Sequence, residues 1–189
     1  MSTGTALMVI DVQVGIIESE RAYRRAEVLE RISSLLERAR ASNTPIIYVQ
    51  HDGPKGDPLE VDSPGWRIHP AITPASGEPV VRKRACDSFF ETTLQSELVE
   101  RGIRHLVVTG AMTEYCVDTT CRRATSLGYD VTLVSDAHTT HDNDLMSASQ
   151  IILHHNALLS GFDAGNHAIA VKPAEKVDLT QKTAANRRD

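Results

Sequence analysis

Short apolar runs rich in β-branched residues alternate with segments of helical period along most of the chain, and that alternation restricts the fold more than any other feature. Residues 6–12 (ALMVIDV) and 45–50 (PIIYVQ) are runs of this kind. Strands buried on both faces of a parallel sheet read as near-continuous apolar stretches, because neither face meets water. Between the two runs, Leu29, Ile32, Leu35, Leu36 and Ala39 recur at helical spacing, with charged residues on the other faces. A helix with one buried stripe has this pattern, so the segments make a βαβ unit.

The second half repeats the grammar. A strand is expected over 80–81, a helix around 94–99 with a stop at Gly102, a strand over 106–109 and a helix from about 115 to 127 closed by Gly128. A strand over 131–134, a helix from 143 to about 159 and a last strand over 168–171 complete the series. Glycine is common just past a helix C-terminus, which supports the stop at Gly128. The order predicts an α/β chain: a Rossmann-like, doubly wound and mostly parallel sheet with helices on both faces. At 189 residues, the chain suits one domain of roughly 100–200 residues rather than two. Residues 1–171 form that domain in this reading. The polar stretch 172–189 is either a frayed tail or an arm laid on a partner subunit.

Residues 51–79 break the pattern, holding six of the eight prolines and four of the eleven glycines with little periodicity. A loop of that length in a compact domain is usually functional or disordered. Trp66, the only tryptophan, lies in its middle, which favours an ordered loop that buries something.

Charge and cysteine usage exclude several classes. Twenty Lys+Arg against 25 Asp+Glu, spread without a long basic stripe, gives nucleic-acid binding no support. No apolar run approaches the ~20 residues of a membrane span, and the polar start of the chain does not resemble a signal peptide. Cys86, Cys116 and Cys121 cannot all pair within one chain, and none forms a CxxC. A reducing cytoplasm is the expected compartment. Dinucleotide binding is disfavoured as well, because Asp11-Val12-Gln13-Val14-Gly15 stands after the first strand where a GxGxxG would be needed.

Three residues carry the chemistry. In a doubly wound sheet, ligands bind outside the C-terminal strand ends, where the winding reverses. Asp11, Lys83 and Cys116 each sit at the C-terminal edge of a separate expected strand and so share that end. A thiol attacks as thiolate, so it needs a proton acceptor and a cation nearby. Asp11 and Lys83 fit those tasks. Cys116 also falls where a helix begins, and free N–H groups there favour a thiolate and an oxyanion. Each residue also has a plainer reading: a buried small hydrophobe for Cys116, a turn cap for Asp11, and a solvated Arg82-Lys83-Arg84 cluster for Lys83.

The strings Val9-Ile10-Asp11-Val12-Gln13, Lys83 with Ser88-Phe89-Phe90 and Thr93-Leu94, and Thr109-Gly110-Ala111-Met112-Thr113-Glu114-Tyr115-Cys116-Val117 with Gly128-Tyr129 and Asp136-Ala137 resemble the isochorismatase-like cysteine hydrolases. The resemblance runs from about residue 7 to 171. It implies a sheet of six strands in the order 3-2-1-4-5-6 and a triad of Asp11, Lys83 and Cys116. It implies a cis peptide joining Ala111 to Met112, so that the Met112 and Cys116 N–H groups form an oxyanion hole. It also implies a homodimer or homotetramer acting on a small molecule, by a route that needs no metal or other cofactor.

Family members that cleave the vinyl ether of isochorismate lack the cysteine, so its presence here favours hydrolysis of a C–N bond in an amide, lactam or ureide. Nicotinamidase-type amidases, carbamoyl-amide and ureide hydrolases, and a lactam hydrolase of streptothricin-type antibiotics are the branches considered, the last being preferred. His51-Asp52 lies where nicotinamidase-type relatives hold a metal with Asp and His, but the Asp-x-His string is absent, so no metal is expected. Gln13, His51, Trp66 and Tyr115 are candidates for the pocket wall. Cys86 and Cys121 are read as non-catalytic, and the adjacent His154 and His155 diverge by ~100° on a helix and cannot share a ligand face. An alternative of another class is a small-molecule-binding or thiol redox-sensing protein on the same fold.

Overall fold

The computed structural model describes residues 4–180. Its centre is β1 (Gly4–Ile10), paired in parallel with β2 (Ile46–His51) on one side and β4 (Ile103–Ala111) on the other. Beyond β2 lies β3 (Val80–Lys83); beyond β4 lie β5 (Asp130–Thr139), then β7 (His167–Lys172) and β6 (Asp163–Ala164). The order is 3-2-1-4-5-7-6, parallel except for the β6–β7 pair. The expected sixth strand is therefore β7. A seventh, of two residues, is added where the chain folds back through Gly165 at φ +66.

Alternation along β1 explains its central place. Ala6, Met8 and Ile10 enter one core cluster with residues of α3 (Leu94–Glu100) and α4 (Asp118–Ser126). Leu7 and Val9 enter the other, against Val28, Ile32, Leu35, Leu36 and Ala39 of α2 (Arg25–Ala41). Both faces of the strand are thus apolar and dry, as the unbroken run of its sequence requires.

Two helix boundaries differ from expectation. The segment expected as one helix over 115–127 opens instead as a π-helical turn, Thr113–Val117, before α4 begins. The segment expected over 143–159 becomes helical only in α5 (Ala148–Leu159), because Ser147 and Gln150 form a reciprocal capping box there. Upstream, Asn143 Oδ1 accepts from the Leu145 and Met146 N–H groups and folds that stretch as a turn. A short helix, α1 (Val14–Ile17), had no periodic signature.

The long loop is ordered by backbone contacts. Val14 N–H donates to Arg67 O at 2.9 Å, Gly15 N–H to Gly65 O at 2.8 Å and His69 N–H to Val12 O at 2.9 Å. The described part of the C-terminal stretch folds back on its own domain: Ala174, Val177 and Leu179 are buried in the α2 cluster, and Arg38 donates to the Ala174 and Val177 carbonyls. An arm formed by residues 181–189 would lie outside the described residues. No helix among the described residues is long and apolar enough to cross a membrane.

At Gly110, φ is +125 and a Cβ would be driven into the Ile10 carbonyl oxygen on β1. Gly110→Ala should therefore destabilise the fold by about 3 kcal/mol or more, through backbone strain and strand separation. Urea denaturation of the variant beside the parent checks this.

Candidate active site

The C-terminal ends of β1 and β4 lie side by side where the winding reverses, and the site forms there. Asp11 leaves β1 at φ +50, a left-handed conformation that Asp tolerates better than most residues. Its N–H still donates to Val49 O of β2 at 2.9 Å, so the turn is anchored, and the side chain is buried. On β3, Val81 and Lys83 point inward while Arg82 and Arg84 are exposed. Register thus separates Lys83 from the flanking arginines.

The Lys83 side chain reaches past β2 to Asp11 Oδ2 at 2.6 Å. Its ammonium also donates to Ala85 O at 2.8 Å, Cys116 Sγ at 3.2 Å and His51 Nδ1 at 3.3 Å. Asp11, His51 and Cys116 offer ligand atoms within 4.8 Å of one another, the one such group of metal-binding type among the described residues. Lys83 Nζ, however, already touches all three. A divalent ion would have to displace it or endure its charge, so these residues fit an ammonium rather than a metal.

The electrostatics follow from burial. Loss of water raises the Asp11 carboxyl pKa, and Lys83 offsets this only in part. Burial opposes the Lys83 charge, but Asp11 and Cys116 together hold its pKa above the usual value. Burial, then the Asp11 charge, push the Cys116 thiol up. The resting site is thus a carboxylate–ammonium pair beside a protonated thiol. Apart from the ion pair, neither Asp11 oxygen accepts an aligned hydrogen bond from the described residues. His51 has its pKa lowered by burial and by Lys83. As lysine only donates, His51 Nδ1 is the acceptor and Nε2 carries the hydrogen.

A pocket of about 320 Å³ opens over Cys116 and Asp11. His51 and Tyr115 line it, as expected, and so does Met112, whose peptide bond to Ala111 is cis. Gln13 and Trp66 do not line it. Gln13 is fully buried, its amide accepting from His51 N–H and donating to His51 O and Trp66 O at 2.7–2.9 Å. It ties the loop to the strand ends. Trp66 turns away, donating to Asp52 at 2.9 Å under the Arg82 guanidinium. Ile16, Asp57, Leu59, Cys86 and His141 also line the pocket and were not foreseen as wall residues. Cys121 is a core residue, and His69 is held by Glu18 and Ala71.

A buried network steadies the turn that carries Cys116. Thr113 Oγ1 pairs with His138 Nδ1 at 2.8 Å, His138 Nε2 with Asn156 Oδ1 at 3.0 Å, and Asn156 Nδ2 donates to Ser135 O at 3.0 Å. The Ser135 bond leaves Asn156 Oδ1 as acceptor, so His138 donates through Nε2 and accepts the Thr113 hydroxyl. Burial lowers its pKa to about 4. His138 directly follows the Asp136-Ala137 string, yet nothing in the sequence singles it out.

A family model described as the isochorismatase domain matches residues 5–157. A streptothricin hydrolase of Streptomyces noursei is 39% identical over 138 residues, which is 72% of this chain and 50% of that protein. A ureidoacrylate amidohydrolase of Klebsiella pneumoniae is 34% identical over 122 residues, 62% of this chain and 51% of that protein. The chain thus spans about half the length of these relatives. The crystal structure of an isochorismatase from Pseudomonas putida aligns at a TM-score of 0.84 with 32% identity, covering 92% of this chain and 90% of that one.

Two stability outcomes are expected. Lys83→Met leaves the buried Asp11 charge unmatched and should cost about 3–5 kcal/mol, most of it recovered when Asp11→Asn is added; a double-mutant cycle in urea measures the coupling. For His138, the unfolded chain takes up a proton near pH 6.5 while the fold resists until about pH 4. Stability should therefore fall as pH drops through that window, by roughly 3 kcal/mol at most. His138→Gln should flatten that part of the urea-midpoint profile.

Proposed function

The chain belongs to the isochorismatase family of hydrolases, and from that premise we propose that it cleaves a C–N bond of a small amide, lactam or ureide through a covalent Cys116 thioester. The observation that carries this reading is the Lys83 ammonium held in contact with Asp11, Cys116 and His51, three residues that line one pocket. The names of the streptothricin and ureidoacrylate relatives support the bond class.

In the first step, Asp11 accepts the Cys116 proton as the sulfur attacks the carbonyl carbon. A carboxylate whose pKa is raised by burial is the stronger base. Lys83, fixed between the two, offsets the negative charge as it moves from carboxylate to sulfur. The Met112 and Cys116 N–H groups receive the tetrahedral oxyanion. When the oxyanion collapses, the C–N bond breaks and Asp11 returns the proton to the departing nitrogen. Water then attacks the thioester, giving one proton to Asp11; collapse of the intermediate breaks the C–S bond, Asp11 returns that proton to the sulfur, and the acid leaves with water's other proton. Each proton that is transferred in this sequence passes through Asp11.

The redox-sensing alternative needs only a thiol of lowered pKa and gives no task to Asp11, a proton acceptor paired with the Lys83 that touches the thiol. A metal-assisted, nicotinamidase-type route is disfavoured by the ammonium at the centre of the three ligand atoms. A cytoplasmic homodimer or homotetramer remains part of the proposal.

Intact-mass measurement during turnover of a panel of amides, lactams and ureides should show an acyl adduct that Cys116→Ala abolishes. Asp11→Asn should lower kcat by about 10²–10⁴-fold with the fold retained. The wild-type kcat/KM should decline on the acid side with a pKa above the ordinary carboxylate value of 3.8, since a protonated Asp11 accepts nothing. Full activity in the Asn variant would remove Asp11 from the mechanism.

A further inference from the structure

The pocket is apolar where it meets Ile16, Leu59 and Met112, and its charged groups are few. Asp11 is neutralised by Lys83. His141 lies along one edge, its Nε2–H donating to Ile16 O at 3.4 Å. Asp57 is different. Its Oδ1 accepts the Leu59 N–H at 2.7 Å in a local turn, while no cation pairs with the carboxylate among the described residues. Its charge is felt by His51 across the site.

The position of Asp57 is built rather than accidental. A Cβ at Gly53 would stand 2.6 Å from Asp57 Oδ1 and 2.8 Å from Leu59 backbone, so only glycine lets the loop close this tightly. Pro58 O packs between Gly15 and Gly65, and a Cβ on either would collide with it. The ledge Asp57-Pro58-Leu59 is therefore clamped against α1 on one side and against the Gly65 turn of the loop on the other. It presents a fixed, unpaired carboxylate to the pocket that holds the thiol.

We propose that Asp57 is a specificity-determining residue, selecting substrates whose body carries a cationic or strongly N–H-donating group beside the carbonyl that Cys116 attacks. The proposal rests on the hydrolase reading of this pocket. An uncompensated carboxylate in a partly dry site attracts such a group and repels an anion. The apolar residues around it accept the uncharged remainder.

The test uses methanethiosulfonates of three charges, a trimethylammonium, a methyl and a sulfonate form, on a Cys86→Ser background so that Cys116 is the pocket's thiol. Each reaction forms a mixed disulfide and releases methanesulfinate, so labelling is read by intact mass and needs no turnover. Asp57→Asn keeps the oxygen that accepts from Leu59 and removes only the charge. The expected result is a cationic-to-anionic rate ratio several-fold lower in Asp57→Asn than in its parent, with the neutral reagent setting the scale. An unchanged ratio overturns the proposal. A ratio that responds to Asp57 while no amide ever acylates Cys116 would instead sink the hydrolase reading and leave the charge-selective pocket standing.

Discussion

A charged pair, Asp11 with Lys83, is almost wholly buried at the floor of the site, and the architecture around it is arranged so that neither charge is left alone. Asp11 stands at the end of the innermost strand and Lys83 at the end of β3, with β2 between them. Strands lie ~4.8 Å apart, so a lysine stem is needed to cross the gap. The pairing therefore depends on the order of the sheet, and the sheet's carboxyl edge depends on the pairing. A buried ion pair is poor evidence of stability by itself, since its desolvation can exceed its attraction. Its retention here fits the proposed role, in which a proton moves between Asp11 and Cys116 beside a fixed cation.

Much of this was legible beforehand because it rests on periodicity. A strand dry on both faces must read as an unbroken apolar run, and Leu7, Met8, Val9 and Ile10 do. Once the strand ends were placed, the winding rule brought Asp11, Lys83 and Cys116 to one edge. What stayed hidden has a common cause. The π turn under Cys116, the late start of α5 and the strand β6 are settled by backbone hydrogen bonds and caps that compete with helix over a few residues. Propensity differs too little between those outcomes to reveal the winner.

The same limit applies to the pocket. Gln13 and Trp66 were suggestive as chemical types, yet both serve to hold the loop, one through three amide contacts and the other through Asp52. His138 shows the converse case. Nothing in its immediate neighbours discloses that it is buried, uncharged and linked to the first residue of the turn that bears the thiol. Both depend on contacts between segments distant in the chain.

The loop over the pocket is fastened chiefly by main-chain hydrogen bonds and by close approaches that glycines permit at 15, 53 and 65. Fastening of that kind makes few demands on which side chains the loop carries. Loop residues other than Asp57 and Trp66, whose side chains help to hold it, can be exchanged without loosening the frame, while Asp11, Lys83 and Cys116 belong to the strand ends and the turn beneath. Pocket wall and strand-end cluster are in this sense separately mutable, and a lineage built on such a frame can reshape its pocket by rewriting a handful of loop positions while the groups beneath stay as they were.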